Sequence, residues 1–151
     1  MDSYVTDKEG LLKLEDQLCF ALYSASRAIT KQYKVLLKEI GVTYPQYLAL
    51  MVLWQKDGIL IQELASALEL ESATTTPLVQ RLEKLELVKR QRSAEDERRV
   101  HIFLTDKGRQ QHQKALEIPH ALGCATGLNE ERATLLINEM KSIKSFIDGS
   151  R

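Results

Sequence analysis

Apolar residues in the first quarter of the chain recur at helical intervals. Leu11, Leu14, Leu18, Leu22, Ala25, Ile29, Leu36 and Ile40 follow one another at roughly i+3 and i+4 spacing, the mark of an amphipathic helix. Neither Pro nor Gly interrupts residues 11–40, and Gly41 supplies a C-terminal stop. The pattern predicts one helix of about 30 residues, or ~45 Å at 1.5 Å per residue, which a small domain can hardly cover by itself. The last segment behaves the same way. Asn129 reads as an N-cap, and Leu136, Met140, Ile143 and Ile147 make a short heptad-like stripe. Two apolar-striped helices at opposite ends of a chain point to a shared helical dimer interface; the alternative is a monomeric bundle.

Between them the pattern changes. Thr43-Tyr44-Pro45-Gln46 reads as a helix start, with Thr43 as the cap and Pro45 in the first turn. That helix runs through Leu48, Leu50, Met51, Leu53 and Trp54 to a break at Asp57-Gly58. A short helix over 62–68 follows. A second opens near Ser72, carries Leu78, Val79, Leu82 and Leu85, and takes Pro77 as a first-turn residue whose missing N–H is tolerated. Residues 87–92 and 99–104 read as strands, the second alternating Val100, Ile102 and Leu104. A charged tip, 93–98, joins them. Thr105-Asp106-Lys107-Gly108 caps the next helix, which Pro119, Gly123 and Gly127 interrupt. Helix, turn, helix, then a two-stranded ribbon is the order of a winged helix-turn-helix. The expected fold is mainly α with a small β wing. It forms a single domain over 1–151, with 1–42 and 106–151 as dimerisation helices and 43–105 as the DNA-binding region.

Composition narrows the class. With 151 residues, 44% hydrophobic and 28% charged, the chain has an ordinary globular balance that argues against disorder. The longest run free of polar side chains is 48–54, far short of the ~20 residues that span a bilayer. Met1-Asp2-Ser3-Tyr4 offers neither a basic nor an apolar leader region. The expectation is a soluble, cytoplasmic protein without a membrane partner. Lys and Arg total 21, as do Asp and Glu, so any case for nucleic acid must be local. Residues 72–109 carry nine basic side chains against six acidic ones.

A recognition helix presents polar and basic residues to base edges while its apolar stripe anchors it. The outward candidates are Ser72, Thr74, Thr75, Thr76, Gln80 and Arg81; Arg81 carries enough donors for a two-point contact with guanine. Lys84, Lys89, Arg90 and Arg92 fall along the backbone side. At the wing tip Arg98 and Arg99 are candidates for a narrow minor groove. Asp96, two residues before Arg98, is placed to hold its guanidinium.

The run from Asp96 through Glu97-Arg98-Arg99-Val100-His101-Ile102-Phe103-Leu104-Thr105 to Asp106-Lys107-Gly108 resembles the wing signature of the MarR family. The resemblance spans the chain and implies a dimeric winged-helix regulator, usually a repressor, that an oxidant or ligand releases from a pseudo-palindromic operator in double-stranded DNA. It puts Ser72, Thr74 and Arg81 on recognition-helix contacts and Arg98 on the minor-groove arginine, with Asp96 as its partner. Leu18-Cys19-Phe20-Ala21-Leu22-Tyr23-Ser24-Ala25-Ser26-Arg27, then Tyr33, then Thr43-Tyr44-Pro45-Gln46-Tyr47-Leu48, is similar to the organic-hydroperoxide-sensing, OhrR-type branch.

Without that likeness, Cys19 is one position on a helix face shared with Tyr23, Ser26, Thr30 and Tyr33. A thiolate gains reactivity when donors stabilise its charge, and phenol O–H groups are such donors. Tyr33 lies 14 residues beyond Cys19, ~21 Å along a straight helix, and cannot touch the thiol of its own chain. If Tyr33 and Tyr44 support Cys19, they most simply come from the partner protomer; the resemblance implies that arrangement, with Tyr23 as a nearer contact. The second cysteine, 105 positions away, makes no permanent staple in a reducing compartment. The two-cysteine kind of OhrR-type regulator implies instead that Cys124 of one protomer traps oxidised Cys19 of the other; the alternative is an inert Cys124.

Other chemistry fits less well. His120 and Cys124 share a helix face, but His101 and His112 lie elsewhere and no CxxC occurs, so four zinc ligands do not converge. No phosphate-binding glycine loop is present, and no cofactor is implied. Two alternatives to the redox reading remain: a MarR-type repressor released by a small phenolic or carboxylate ligand, and a thiol peroxidase-like enzyme.

Overall fold

The computed structural model describes residues 12–150. A 3-10 turn over Leu14–Asp16 leads into α1 (Leu18–Leu36), followed by α2 (Tyr44–Gln55), β1 (Ile59–Leu60), α3 (Ile61–Ala67) and α4 (Ser72–Lys84). The wing strands β2 (Val88–Arg92) and β3 (Val100–Leu104) come next, then α5 (Asp106–Ala115), α6 (Ile118–Thr126) and α7 (Glu130–Gly149). The fold is a winged helix: mostly α, with one antiparallel sheet of order β1-β3-β2.

The caps lie where local chemistry puts them. Thr43 and Gln46 form a reciprocal capping box at α2, Thr105 accepts from the Gly108 N–H at α5, and Asn129 accepts from the Arg132 N–H at α7. Four expectations are corrected. The first helix is 19 residues long, ~28 Å rather than ~45 Å. Gln17 is extended (φ −85°, ψ 117°) just behind Glu15 and Asp16, whose charges favour a helix start there. At the other end Leu37, Ile40 and Val42 turn into the core, and Gly41 takes φ +76°. Leu11, where the stripe was expected to begin, lies outside the described residues. Pro77 stands in the second turn of α4, not the first, so the ladder bond to the Ala73 carbonyl cannot form. Gly123 lies inside α6 and breaks nothing; Gly127, at φ +68°, ends that helix. Strand β1, unforeseen, exists because Ile59 and Leu60 pair with Ile102 and His101.

The core gathers Leu50 and Leu53 of α2, Leu64 of α3, Val79 and Leu82 of α4, and Leu87, Val88 and Ile102 of the wing, all at most 2% exposed. It locks the recognition helix to the base of the wing. Gly108 is required there, because a Cβ would sit 2.1 Å from the Leu87 carbonyl oxygen. The Trp54 indole N–H donates to the Gly108 carbonyl at 3.0 Å. Asp57 accepts from the Leu104 N–H at 2.8 Å and so fastens the end of β3.

Neither α1 nor α7 has a buried residue. Leu18, Leu22, Leu136, Ile143, Phe146 and Ile147 all face solvent. Exposed apolar surface on this scale is characteristic of association faces.

Candidate DNA interface and thiol site

Helix α4 is anchored by Thr75, Leu78, Val79 and Leu82 and presents Ser72, Thr74, Gln80 and Arg81 outward. Thr75 corrects the sequence reading: it is fully buried, and its hydroxyl donates to the Glu71 carbonyl at 3.0 Å. Thr76 is half-buried. Arg90, expected along the DNA-backbone side, is engaged within the fold. Its Nε donates to Glu83 Oε2 at 2.8 Å, and its backbone N–H donates to Glu83 Oε1 at 3.1 Å. That clip joins β2 to α4, and these bonds, the backbone one foremost, hold the Glu83 carboxyl below its ordinary range. Nothing in the sequence flagged Glu83, because the pairing depends on how the turn after α4 folds back.

The wing tip displays Arg98 on a turn that Asp96 organises. The Asp96 carboxylate accepts from the Arg98 backbone N–H at 3.0 Å, and the Arg99 N–H donates to the Asp96 carbonyl at 2.9 Å. The Arg98 guanidinium lies 3.7 Å from the same carboxylate and is 94% exposed. Asp96 therefore sets the turn chiefly through the backbone and only loosely through the ion pair expected of it. Arg99 is exposed beside it.

Both cysteines are free and exposed. Cys19 occupies the second position of α1, in a turn whose N–H groups lack helical acceptors. Tyr23, one turn on, lies under the Arg27 guanidinium, 4.4 Å from its ring centre. Tyr33 packs against Tyr44 at 4.5 Å between ring centroids and against Tyr47 at 5.8 Å. Burial first, then the neighbouring Tyr44 and Tyr47, pushes the Tyr33 phenol up to about 12, so it remains a hydrogen-bond donor at neutral pH. The fold thus brings Tyr33 and Tyr44 together at one end of α1, with Cys19 at the other end. Tyr47, part of the same aromatic cluster, was missed because its neighbours are set by the α1–α2 crossing.

Cys124 stands on α6 in the wall of a cavity of about 770 Å3 that Ile29 of α1, Leu128 and Ala133 also line. Among the described residues, no group of three or more His, Cys, Asp or Glu side chains is placed to hold a metal ion. No helix there is long and apolar enough to cross a membrane.

Residues 31–115 match the family model described as transcriptional regulator SarA/Rot. Over 136 residues, 90% of this chain and 88% of the relative, the sequence is 44% identical to the organic hydroperoxide resistance transcriptional regulator of Bacillus subtilis (strain 168). The chain belongs to the MarR family of transcriptional regulators. This MarR-family regulator also resembles AbfR of Staphylococcus epidermidis. Against reduced AbfR bound to DNA the TM-score is 0.75 at 34% identity, covering 93% of this chain and 99% of that one. Against disulfide-formed AbfR the TM-score is 0.67 at the same identity, covering 93% and 97%. The relatives are DNA-binding transcriptional regulators and not enzymes, so the thiol-peroxidase alternative falls away.

Proposed function

We propose that this regulator is a cytoplasmic, dimeric repressor that senses organic hydroperoxides through Cys19. The observation that carries the reading is the position of the Tyr33–Tyr44 pair. Those two phenols face each other at 4.5 Å, while Cys19 begins the same helix 14 residues away. A thiol supplied by a partner protomer completes the site, and the solvent-facing apolar sides of α1 and α7 bring that partner in. Residues 1–42 and 106–151 make the dimer; 43–105 read a pseudo-palindromic operator. Ser72, Thr74, Gln80 and Arg81 face the major groove, with Thr76 at its margin and Arg98 and Arg99 at the minor groove.

Hydroperoxide oxygen transfers to the Cys19 thiolate, giving sulfenic acid and an alcohol. Cys124 of the partner subunit then displaces hydroxide and forms the disulfide. Ile29, on the wall of the Cys124 cavity, lies ten residues beyond Cys19, ~15 Å along α1. A bridge within one chain would need the Cα atoms within about 7 Å, so the intersubunit pairing is favoured. The existence of a disulfide-formed AbfR beside a reduced, DNA-bound one supports such a switch. Closing the bridge moves the helices and spoils the ~10-base-pair spacing of the two recognition helices.

The test is operator binding followed by fluorescence anisotropy while reduced protein is titrated with cumene hydroperoxide, with non-reducing gels of the same samples. Wild type releases DNA as a dimer-sized band appears, and Cys19→Ser stays bound. Release of Cys19→Ser at the same peroxide dose would sink the redox reading. A second reading rests on the groove of about 430 Å3 lined by Arg27, Lys31, Lys34 and Tyr44, whose charge and ring suit a small phenol or carboxylate. Release of DNA by salicylate in both wild type and Cys19→Ser would favour it.

A further inference from the structure

We infer that His120 is the proton acceptor that readies Cys124 for disulfide formation; this rests on the reading of Cys124 as the resolving thiol. His120 and Cys124 are four residues apart on α6, which stacks their Cβ atoms about 5–6 Å apart on one face. Both line the same cavity, and both are exposed. A helix interior offers a thiol no polar partner of its own, and a thiol is a poor nucleophile until it ionises. Here the imidazole is the titratable side chain nearest along the helix. Glu130, at the start of α7, is the one charged group among the described residues lining the cavity; α1 contributes Ile29 and α5 contributes nothing. The walls are otherwise largely apolar, through Leu122, Leu128 and Ala133.

The step balances as follows. The Cys124 thiol gives its proton to the free nitrogen of His120. Its sulfur attacks the sulfenic sulfur of Cys19 from the partner subunit, forming the S–S bond and breaking the S–O bond. The Cys19 sulfur is reduced from sulfenic acid to disulfide, and the Cys124 sulfur is oxidised from thiol to disulfide. Hydroxide leaves and takes the proton back from the imidazolium as water. The oxidising equivalent comes from the organic hydroperoxide that made the sulfenic acid.

The decisive experiment separates this role from the resolving role. In full-length Cys19→Ser protein, the rate of Cys124 alkylation by iodoacetamide is measured from pH 6 to 10, with and without His120→Gln. The expected result is a fall of about tenfold at pH 7 in the His120→Gln protein, closing above pH ~9 where thiols ionise unaided. Superimposed profiles would overturn the inference. In parallel, in the background that keeps Cys19, His120→Gln slows peroxide-driven disulfide formation about tenfold at pH 7. Dimedone-reactive sulfenic acid accumulates meanwhile, and added imidazole restores the rate. Equal disulfide rates would again overturn it. If Cys124→Ser releases DNA as wild type does, the resolving reading fails, while the alkylation profiles still decide what His120 does to the thiol.

Discussion

Glu83 on the recognition helix and Arg90 on the first wing strand hold each other through two bonds at once, side chain to side chain at 2.8 Å and carboxylate to backbone N–H at 3.1 Å. The wing is thereby aligned with α4, the helix proposed to read DNA. Both side chains are about one-third exposed, so solvent screening limits the pair to about 0.5–1 kcal/mol. Glu83→Gln is expected to lower stability by that amount at pH 7 and to weaken operator binding more than the stability loss implies. The Glu83 carboxyl is held below its ordinary 4.5, so its contribution is present above that pH and lost as pH falls through the lower folded value. Thermal unfolding of wild type and Glu83→Gln at pH 7 and pH 3.5 checks this: the difference shrinks in acid.

Tyr33 shows the opposite sign. Its phenol is pushed up to about 12 in the fold, above the ordinary value of 10. Folding is therefore favoured below pH ~10 and loses this contribution as pH rises toward 12. Unfolding free energy measured by urea between pH 9 and 12 falls less steeply in Tyr33→Phe than in wild type. On the proposed sensor mechanism the same variant binds operator normally when reduced and needs about tenfold more hydroperoxide to release it, because a phenol O–H proposed to support the thiolate is gone.

Arg98 stands almost fully exposed at the wing tip. Arg98→Ala leaves the melting temperature unchanged, since the side chain is 94% exposed. It costs about 1–3 kcal/mol of operator affinity and lowers the slope of log K against log salt by about one. Thr75→Val, by contrast, leaves base preference intact: that hydroxyl faces Glu71 within its own helix. Anisotropy titrations across salt concentrations distinguish the two.

Gly108→Ala drives a methyl group into the Leu87 carbonyl oxygen at 2.1 Å. Relief requires α5 to move off the wing and stretches the Trp54 hydrogen bond. A loss of about 2–3 kcal/mol is expected from overpacking, read from denaturant midpoints, with a change in Trp54 fluorescence.

The proposed dimer face is tested by charge. Leu22→Glu combined with Ile143→Glu places carboxylates on solvent-facing apolar positions of α1 and α7. The secondary structure is retained, because neither residue is in the core, but sedimentation shifts to a monomer and operator binding is lost.

Legibility followed the range of the forces. Thr43, Thr105 and Asn129 were readable as caps because capping involves residues three apart. The order of helices and wing strands from α2 to β3, β1 apart, was readable because periodicity and turn residues agreed. Residues 11–40 misled, since an unbroken apolar stripe does not reveal that Gln17 is extended or that Leu37, Ile40 and Val42 leave the helix for the core. Thr75 misled because the polar side chain satisfies itself within its own helix and can be buried. Strand β1 was invisible because two residues become a strand only when β3 lies beside them.

The sequence alone determined the order of helices and wing, the two apolar stripes that face solvent, and the presence of a thiol on a tyrosine-bearing helix. Each is written in neighbours a few positions apart. Tertiary structure alone decided that Arg90 clips the wing, that Tyr33 meets Tyr44 and Tyr47, and that Cys124 shares a cavity wall with Ile29 of α1. These pairings join segments from 7 to 95 residues apart, and side chains so far apart meet only where burial of a common core fixes how the elements cross.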